Sequence, residues 1–147
     1  MNQSERRRYL IQELLDEQKE YSHFSIPEDS RGQKDLLRGL LNVRAPKMLS
    51  REFLKIQNEY LKEETEKKGI TELADLTPVE QGIYLWQGDI TTLRCDAIVN
   101  AANSGMTGCY APNHKCIDNC IHTFAGAQLR YECAQMMKAQ GHEEPTG

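Results

Sequence analysis

Apolar residues recur every three or four positions through the first half of the chain and then change rhythm. Leu10, Ile11, Leu14 and Leu15 form one stripe and predict an amphipathic helix from Ser4 to about Lys19, with Ser4 as its N-cap. Leu36, Leu37, Leu40 and Leu41 mark a second helix, set between a turn region at Ser25 to Gly32 and Pro46. A third begins at Ser50 and carries Phe53, Leu54, Tyr60 and Leu61 on one face. It ends in a charged, solvated run from Glu63 to Lys68 and stops at Gly69. After Thr77-Pro78 the apolar runs shorten. Ile83 to Trp86 and Ala97 to Val99, bounded by turn residues, read as buried strands of an α/β sheet. A helix is expected from near Ile117, and another after Gly126 on Leu129, Cys133 and Met136. Pro145-Thr146-Gly147 is turn-like.

Composition narrows the class. With 147 residues, 39% of them hydrophobic, there is material for one modest core and an added helical subdomain. The formal charge of −4 argues against a nucleic-acid backbone as partner, because such sites concentrate Lys and Arg, and the run Arg6-Arg7-Arg8 is offset by Glu5, Glu13, Asp16 and Glu17. No stretch approaches the ~18 apolar residues of a membrane span, and the polar, basic start lacks a signal region. The reading is a soluble cytoplasmic protein. The five cysteines are an odd number and fall between Cys95 and Cys133, which suits metal binding and free thiols better than a disulfide framework.

The candidate chemistry lies in one loop. Cys109, His114 and Cys116 supply two thiolates and an imidazole, a donor set suited to zinc that leaves one position of a four-coordinate shell open. Cys-x4-His-x-Cys is not zinc-finger spacing, and no fourth protein ligand is evident. Cys120, His122, Cys95 and Cys133 read as core residues, while His23 and His142 lie in polar surroundings. Asp118 stands two residues past Cys116, where a carboxylate also complements a helix dipole. Asn100 and Asn103 flank two alanines at a strand end, where amides can donate and accept, or simply make a turn. Asp89 taken alone reads equally as a turn or cap residue.

The succession Gly88-Asp89-Ile90-Thr91, Asp96-Ala97-Ile98-Val99-Asn100-Ala101-Ala102-Asn103-Ser104, then Ile117-Asp118-Asn119 with Ile121-His122 and Ala125-Gly126, resembles the opening half of a macrodomain. The loop from Cys109 to Cys116 stands where MacroD-type hydrolases carry a glycine-rich stretch. It looks like the zinc-dependent branch of pathogenic bacteria, whose members are ADP-ribosyl hydrolases associated with a class M sirtuin and a lipoylated carrier protein. The resemblance implies a three-layer α/β/α macrodomain, incomplete in this chain, over residues 77–147, with a helical extension over residues 1–76. It implies further strands and a second phosphate-binding loop beyond Gly147, and weak folding with no hydrolysis for residues 1–147 alone.

Residue by residue, it implies that Asp89 and Ile90 meet the adenine and that Asn100 and Asn103 approach the distal ribose. The diphosphate would rest on backbone amides from Cys116 through Ile117 and Asp118 to Asn119. One zinc per chain would sit on Cys109, His114 and Cys116, with a water or hydroxyl at its open position. Asp118 and Asn103 would be the catalytic residues, Asp118 orienting or deprotonating the water. The expected reaction is hydrolysis at C1″ of the distal ribose, freeing mono-ADP-ribose from a modified protein, with an ester to Asp or Glu as the linkage. The alternatives are an ADP-ribose-binding module with a structural zinc, and a zinc module that docks a protein partner through its helices.

Overall fold

The computed structural model describes residues 1–21 and 23–145, so the turn read at Pro145-Thr146-Gly147 lies largely outside it. Three helices come first: α1 (Gln3–Asp16), α2 (Ser30–Val43) and α3 (Arg51–Lys68). Their Leu-rich faces turn towards one another. Leu10, Ile11, Leu14 and Leu15 of α1 meet Leu37, Leu40 and Leu41 of α2 and Phe53, Ile56, Tyr60 and Leu61 of α3, and together they form the main core. The stripes read from the sequence include most of these; Ile56 joins them, while Leu36 and Leu54 are only half-buried.

The caps follow local chemistry, with one correction. Asn2, not Ser4, caps α1: its side chain accepts from the Glu5 amide at 2.9 Å, and the Glu5 carboxylate accepts from the Asn2 amide at 2.8 Å. Asn2-x-x-Glu5 is a reciprocal capping box, which satisfies two terminal amides at once and so outcompetes a lone serine. Asp29 caps α2 and Ser50 caps α3. Gly69 ends α3 with φ of +91°, a conformation that costs glycine little.

The second half is mixed α/β, with helices and small sheets. The strands β1 (Thr71–Glu72) and β4 (Leu93–Arg94) pair in parallel, and β2 (Pro78–Glu80) pairs with β3 (Ile83–Tyr84) in an antiparallel hairpin. The expected buried strands are not formed as read. Ile83 to Trp86 contributes only two strand residues, and these are exposed, while Ala97 to Val99 is not a strand. Leu85 is 83% and Val99 89% exposed. A fully buried strand needs a ladder partner on each side, but among the described residues β3 is paired on one side only, by β2, and Ala97 to Val99 on neither. Their apolar side chains therefore remain in solvent.

The last two helices, α4 (Ile117–Ala125) and α5 (Ala127–Gln140), meet at Gly126. Gly126 has no side chain to cap α5. Instead Gln57 of α3, buried to 1% exposure, accepts from the Ala127 amide at 2.9 Å. Helix α4 touches both α2 and α3 and sends Ile121 into the interior. Among the described residues no helix is long and apolar enough to cross a membrane.

Candidate metal loop and ligand cleft

The 22 residues between β4 and α4 contain no helix or strand, and the candidate chemistry is concentrated at their end. Cys109, His114 and Cys116 lie with their donor atoms within 4.8 Å of one another. Cys109 Sγ and His114 Nδ1 are 3.6 Å apart. With Zn–S of ~2.3 Å and Zn–N of ~2.1 Å, a sulfur and a nitrogen on a tetrahedral ion stand ~3.6 Å from each other, so this pair already has the spacing of two ligand corners. The residues present thus fit a small cation that prefers soft ligands. His114 is exposed and the two thiols are half-buried, so the cluster is open to solvent on the His114 side.

Cys116 serves twice. It is the N-cap of α4, and its Sγ accepts from the Asn119 amide at 3.4 Å. The amides of Ile117 and Asp118, in the first turn, have no helical acceptor of their own.

Asp118 faces inward and is only 4% exposed. Its Oδ1 accepts from Asn100 Nδ2 at 2.7 Å, and His122 Nε2 lies 3.6 Å from the same oxygen, one helical turn along. Burial pushes the His122 imidazole below its ordinary 6.5; Asp118 opposes that shift and Arg130 adds to it. Two buried atoms beside this carboxylate, Asn100 Oδ1 and His122 Nδ1, have no hydrogen-bond partner among the described residues. His122 is buried, as expected of a core residue, but it is in contact with the candidate acid. A signal was present nearby. Gly108, at φ of +86°, lies so close to the ring that a Cβ there would stand 2.7 Å from His122 Cγ, so only glycine fits.

Asn119 is fully buried and braces the loop: its Nδ2 donates to the Ala111 carbonyl at 3.0 Å. Asn103 is exposed and tied to its own turn, donating to the Gly108 carbonyl at 3.2 Å and accepting from the Gly105 amide at 3.1 Å. Cys95, read as a core residue, is exposed. Cys133 is half-buried, and burial raises its thiol pKa.

Asp89 and Ile90 stand at the other end of α4. Asp89 caps a 3₁₀ turn over Ile90–Thr92, accepting from the Thr91 amide at 3.0 Å and the Thr91 hydroxyl at 2.6 Å, and it pairs with Lys68 at 3.1 Å. Partial burial pushes its carboxyl up, but these donors outweigh burial and hold it below the usual carboxylate range. The Lys68 ammonium also lies 3.2 Å over the Phe124 ring. Ile90, Leu93, Asp96 and Ile98 face Ile121 and Phe124 across an open cleft of about 380 Å³. One helix therefore joins the two places: α4 starts at the metal loop and walls the cleft about 10 Å further on, at 1.5 Å per residue.

Residues missed by local reading hold this arrangement. Arg130 is buried and donates to the carbonyls of Thr107 at 2.7 Å and Cys109 at 3.1 Å. Its guanidinium stacks 4.1 Å from the Tyr110 ring. Arg38 and Asn42 reach the same loop from α2.

Over part of its length the chain is similar to a known family: residues 99–147 match the Macro domain family. The whole chain aligns with a protein of Treponema medium named Protein-ADP-ribose hydrolase, 60% identical over 151 residues and covered to 58% of its length. A Staphylococcus aureus (strain MRSA252) protein of the same name is 44% identical over 140 residues, which are 95% of this chain and 52% of that protein. A Fusarium oxysporum f. sp. cubense protein, named as a probable bifunctional ADP-ribose hydrolase/ADP-ribosyltransferase, is 43% identical over 123 residues, 76% of this chain and 21% of its own. The chain thus spans a little over half the length of the two bacterial relatives.

Proposed function

We propose that the chain carries the zinc-binding and adenine-binding part of a protein ADP-ribosyl hydrolase, which frees mono-ADP-ribose from an Asp or Glu ester on a modified protein. The observation that carries this reading is α4 itself, with three clustered soft ligands and a buried carboxylate at its start and an apolar cleft at its far end. The names of the bacterial relatives support it. In this reading residues 1–76 are a helical extension and residues 77–147 the first part of the ligand-binding domain.

Adenine fills the cleft between Ile90 and Phe124, with the Asp89 carboxylate accepting from its exocyclic amine. The diphosphate lies along the first turn of α4, on the amides of Ile117 and Asp118, where the positive end of the helix dipole favours an anion without a basic patch. Asn100 Oδ1, buried and without a partner among the described residues, accepts from a hydroxyl of the distal ribose, and Asn103 flanks the same sugar. A zinc ion held by Cys109, His114 and Cys116 would supply a Lewis acid with one open coordination position. Asp118, fixed by Asn100 and backed by a neutral His122, takes the proton of the attacking water as its oxygen bonds to C1″, the C1″–O bond breaks and the side-chain carboxylate of the modified protein leaves. The resemblance supplies the modified protein, a lipoylated carrier, and the writing enzyme, a class M sirtuin.

The test uses the full-length protein and a carrier protein mono-ADP-ribosylated on acidic side chains. ADP-ribose should appear with the metal-replete enzyme and stop when a chelator is added. Tight ADP-ribose binding with no release under metal-replete conditions would replace this reading by that of a binding module with a structural zinc.

A further inference from the structure

What holds the metal loop in place comes from far along the chain. Arg38 of α2 donates to the His114 carbonyl at 2.8 Å and, through the same guanidinium, to Asn119 Oδ1 at 2.9 Å. One turn further along α2, Asn42 accepts from the Asn113 amide at 3.0 Å and donates to Thr123 Oγ1 at 3.0 Å. Asn42 is 1% exposed and Asn119 fully buried, so these amides and the loop have little competition from water. Between Arg38 and Asn42 lies Gly39, where an added Cβ would touch the Asn113 side chain at 3.4 Å. Asn113 has φ of +56°, the left-handed conformation that a non-glycine residue adopts at a cost unless its surroundings hold it. The Asn42 bond to its amide supplies that hold, immediately before His114.

The other end of the loop reaches the same helix. Arg130 grips the carbonyls of Thr107 and Cys109, and its remaining donors go to the carbonyls of Leu41, Asn42 and Arg44 at 3.2, 2.6 and 2.9 Å. These carbonyls lie at the C-terminal end of α2, where unpaired acceptors and the negative end of the dipole attract a cation. Both metal-ligating ends, Cys109 and His114, are thereby referred to one rigid element outside the segment matched to the Macro domain family.

We propose that α2 is the template on which the metal loop is set, with Arg38 and Asn42 acting as positioning residues for His114, so that the helical extension sets the metal affinity. The inference rests on the reading of Cys109, His114 and Cys116 as ligands. Ordering a flexible loop costs conformational entropy, and a loop already ordered by α2 does not charge that cost to metal binding. Arginine suits the position because its rigid planar guanidinium aims donors at both acceptors in a fixed geometry, which a flexible lysine ammonium does not supply.

The experiment measures zinc affinity of the full-length protein by competition with a chromophoric chelator, and ligand geometry from the cobalt(II) spectrum. Wild type should bind one equivalent and show a thiolate-to-cobalt band. Arg38→Met and Asn42→Ala should weaken zinc by about 10–100-fold, the usual effect of removing groups that orient ligands, yet saturate at one equivalent with the wild-type cobalt spectrum. Arg38→Lys should fall between. Lys34→Ala, which breaks the ion pair of the same helix with Glu64, should lower thermal stability of the metal-free protein without changing zinc affinity. Wild-type affinity in Arg38→Met and Asn42→Ala overturns the template role and leaves the metal site standing. A wild type without zinc or the cobalt band overturns the metal reading, and this inference with it. If Arg38→Met or Asn42→Ala loses its cooperative melt, Arg38→Lys decides the question, and wild-type affinity there overturns the proposal.

Discussion

The first three helices and the segment from Thr71 to Cys116 were built on different principles. The helices bury eleven apolar side chains against one another. The segment has one buried side chain with a polar tip, Thr92, and its strands are two or three residues long. Burial of a full apolar side chain contributes about 1.5–3 kcal/mol, so stability resides in the helices, while the segment is held by hydrogen bonds to individual carbonyls and amides. The candidate chemistry sits at the weakly packed end of the molecule and borrows its rigidity from the strongly packed one.

That contrast can be broken most severely through Asp118. Asp118→Ala should lower the rate of ADP-ribose release by about 10²–10⁴, the range for a positioned acid or base, while zinc content stays near that of wild type. Single-turnover assays beside elemental analysis check it, and wild-type turnover would reduce Asp118 to a helix-start residue.

The reverse pattern is expected in the core. Ile11→Ala should cost about 2–5 kcal/mol of stability, whereas Val99→Ala, at a site almost wholly in solvent, should stay within about 0.5 kcal/mol. Denaturant unfolding of the two variants measures the difference directly. Equal losses would mean that Val99 is covered in the folded protein.

The smallest effect tests the joint between the regions. The folded-state pKa of His122 is lowered, so the unfolded chain takes up its proton first as pH falls. The contribution from keeping this ring neutral is present in full above the ordinary value of 6.5 and is lost as acidity increases below it. Thermal midpoints should therefore decline on going from about pH 7.5 to about 5.5, and His122→Gln should flatten that slope.

Legibility from the sequence followed the same division. The helices were readable because a 3.6-residue stripe such as Leu10, Ile11, Leu14 and Leu15 is a local signal with one good solution. Ser4 was mistaken for the cap because a single hydroxyl was weighed without the Glu5 that pairs with Asn2. Ile83 to Trp86 and Ala97 to Val99 have the composition of strands, but composition does not create ladder partners. At the site, Cys109, His114 and Cys116 were legible as a donor set, and Asp118 as a carboxylate beside it. Arg38, Asn42 and Arg130 were not, because nothing in their neighbours records that their acceptors lie on another element. His122 was read as core on grounds that remain true, and its proximity to Asp118 is a matter of one helical turn that spacing alone could have suggested.

The bonds from Arg130 to the end of α2 span 86 to 89 residues of chain. Contacts of such sequence separation form late, because the entropy of closing so long a loop must be overcome before they return anything. The loop from Cys109 to Cys116 is therefore expected to acquire its shape only once α2 is in place, because the carbonyls that Arg130 bonds sit at the end of that helix. In time as well as in space, the helical half leads. During refolding with cobalt(II) present, the helical circular dichroism should recover first and the thiolate-to-cobalt band should lag behind it.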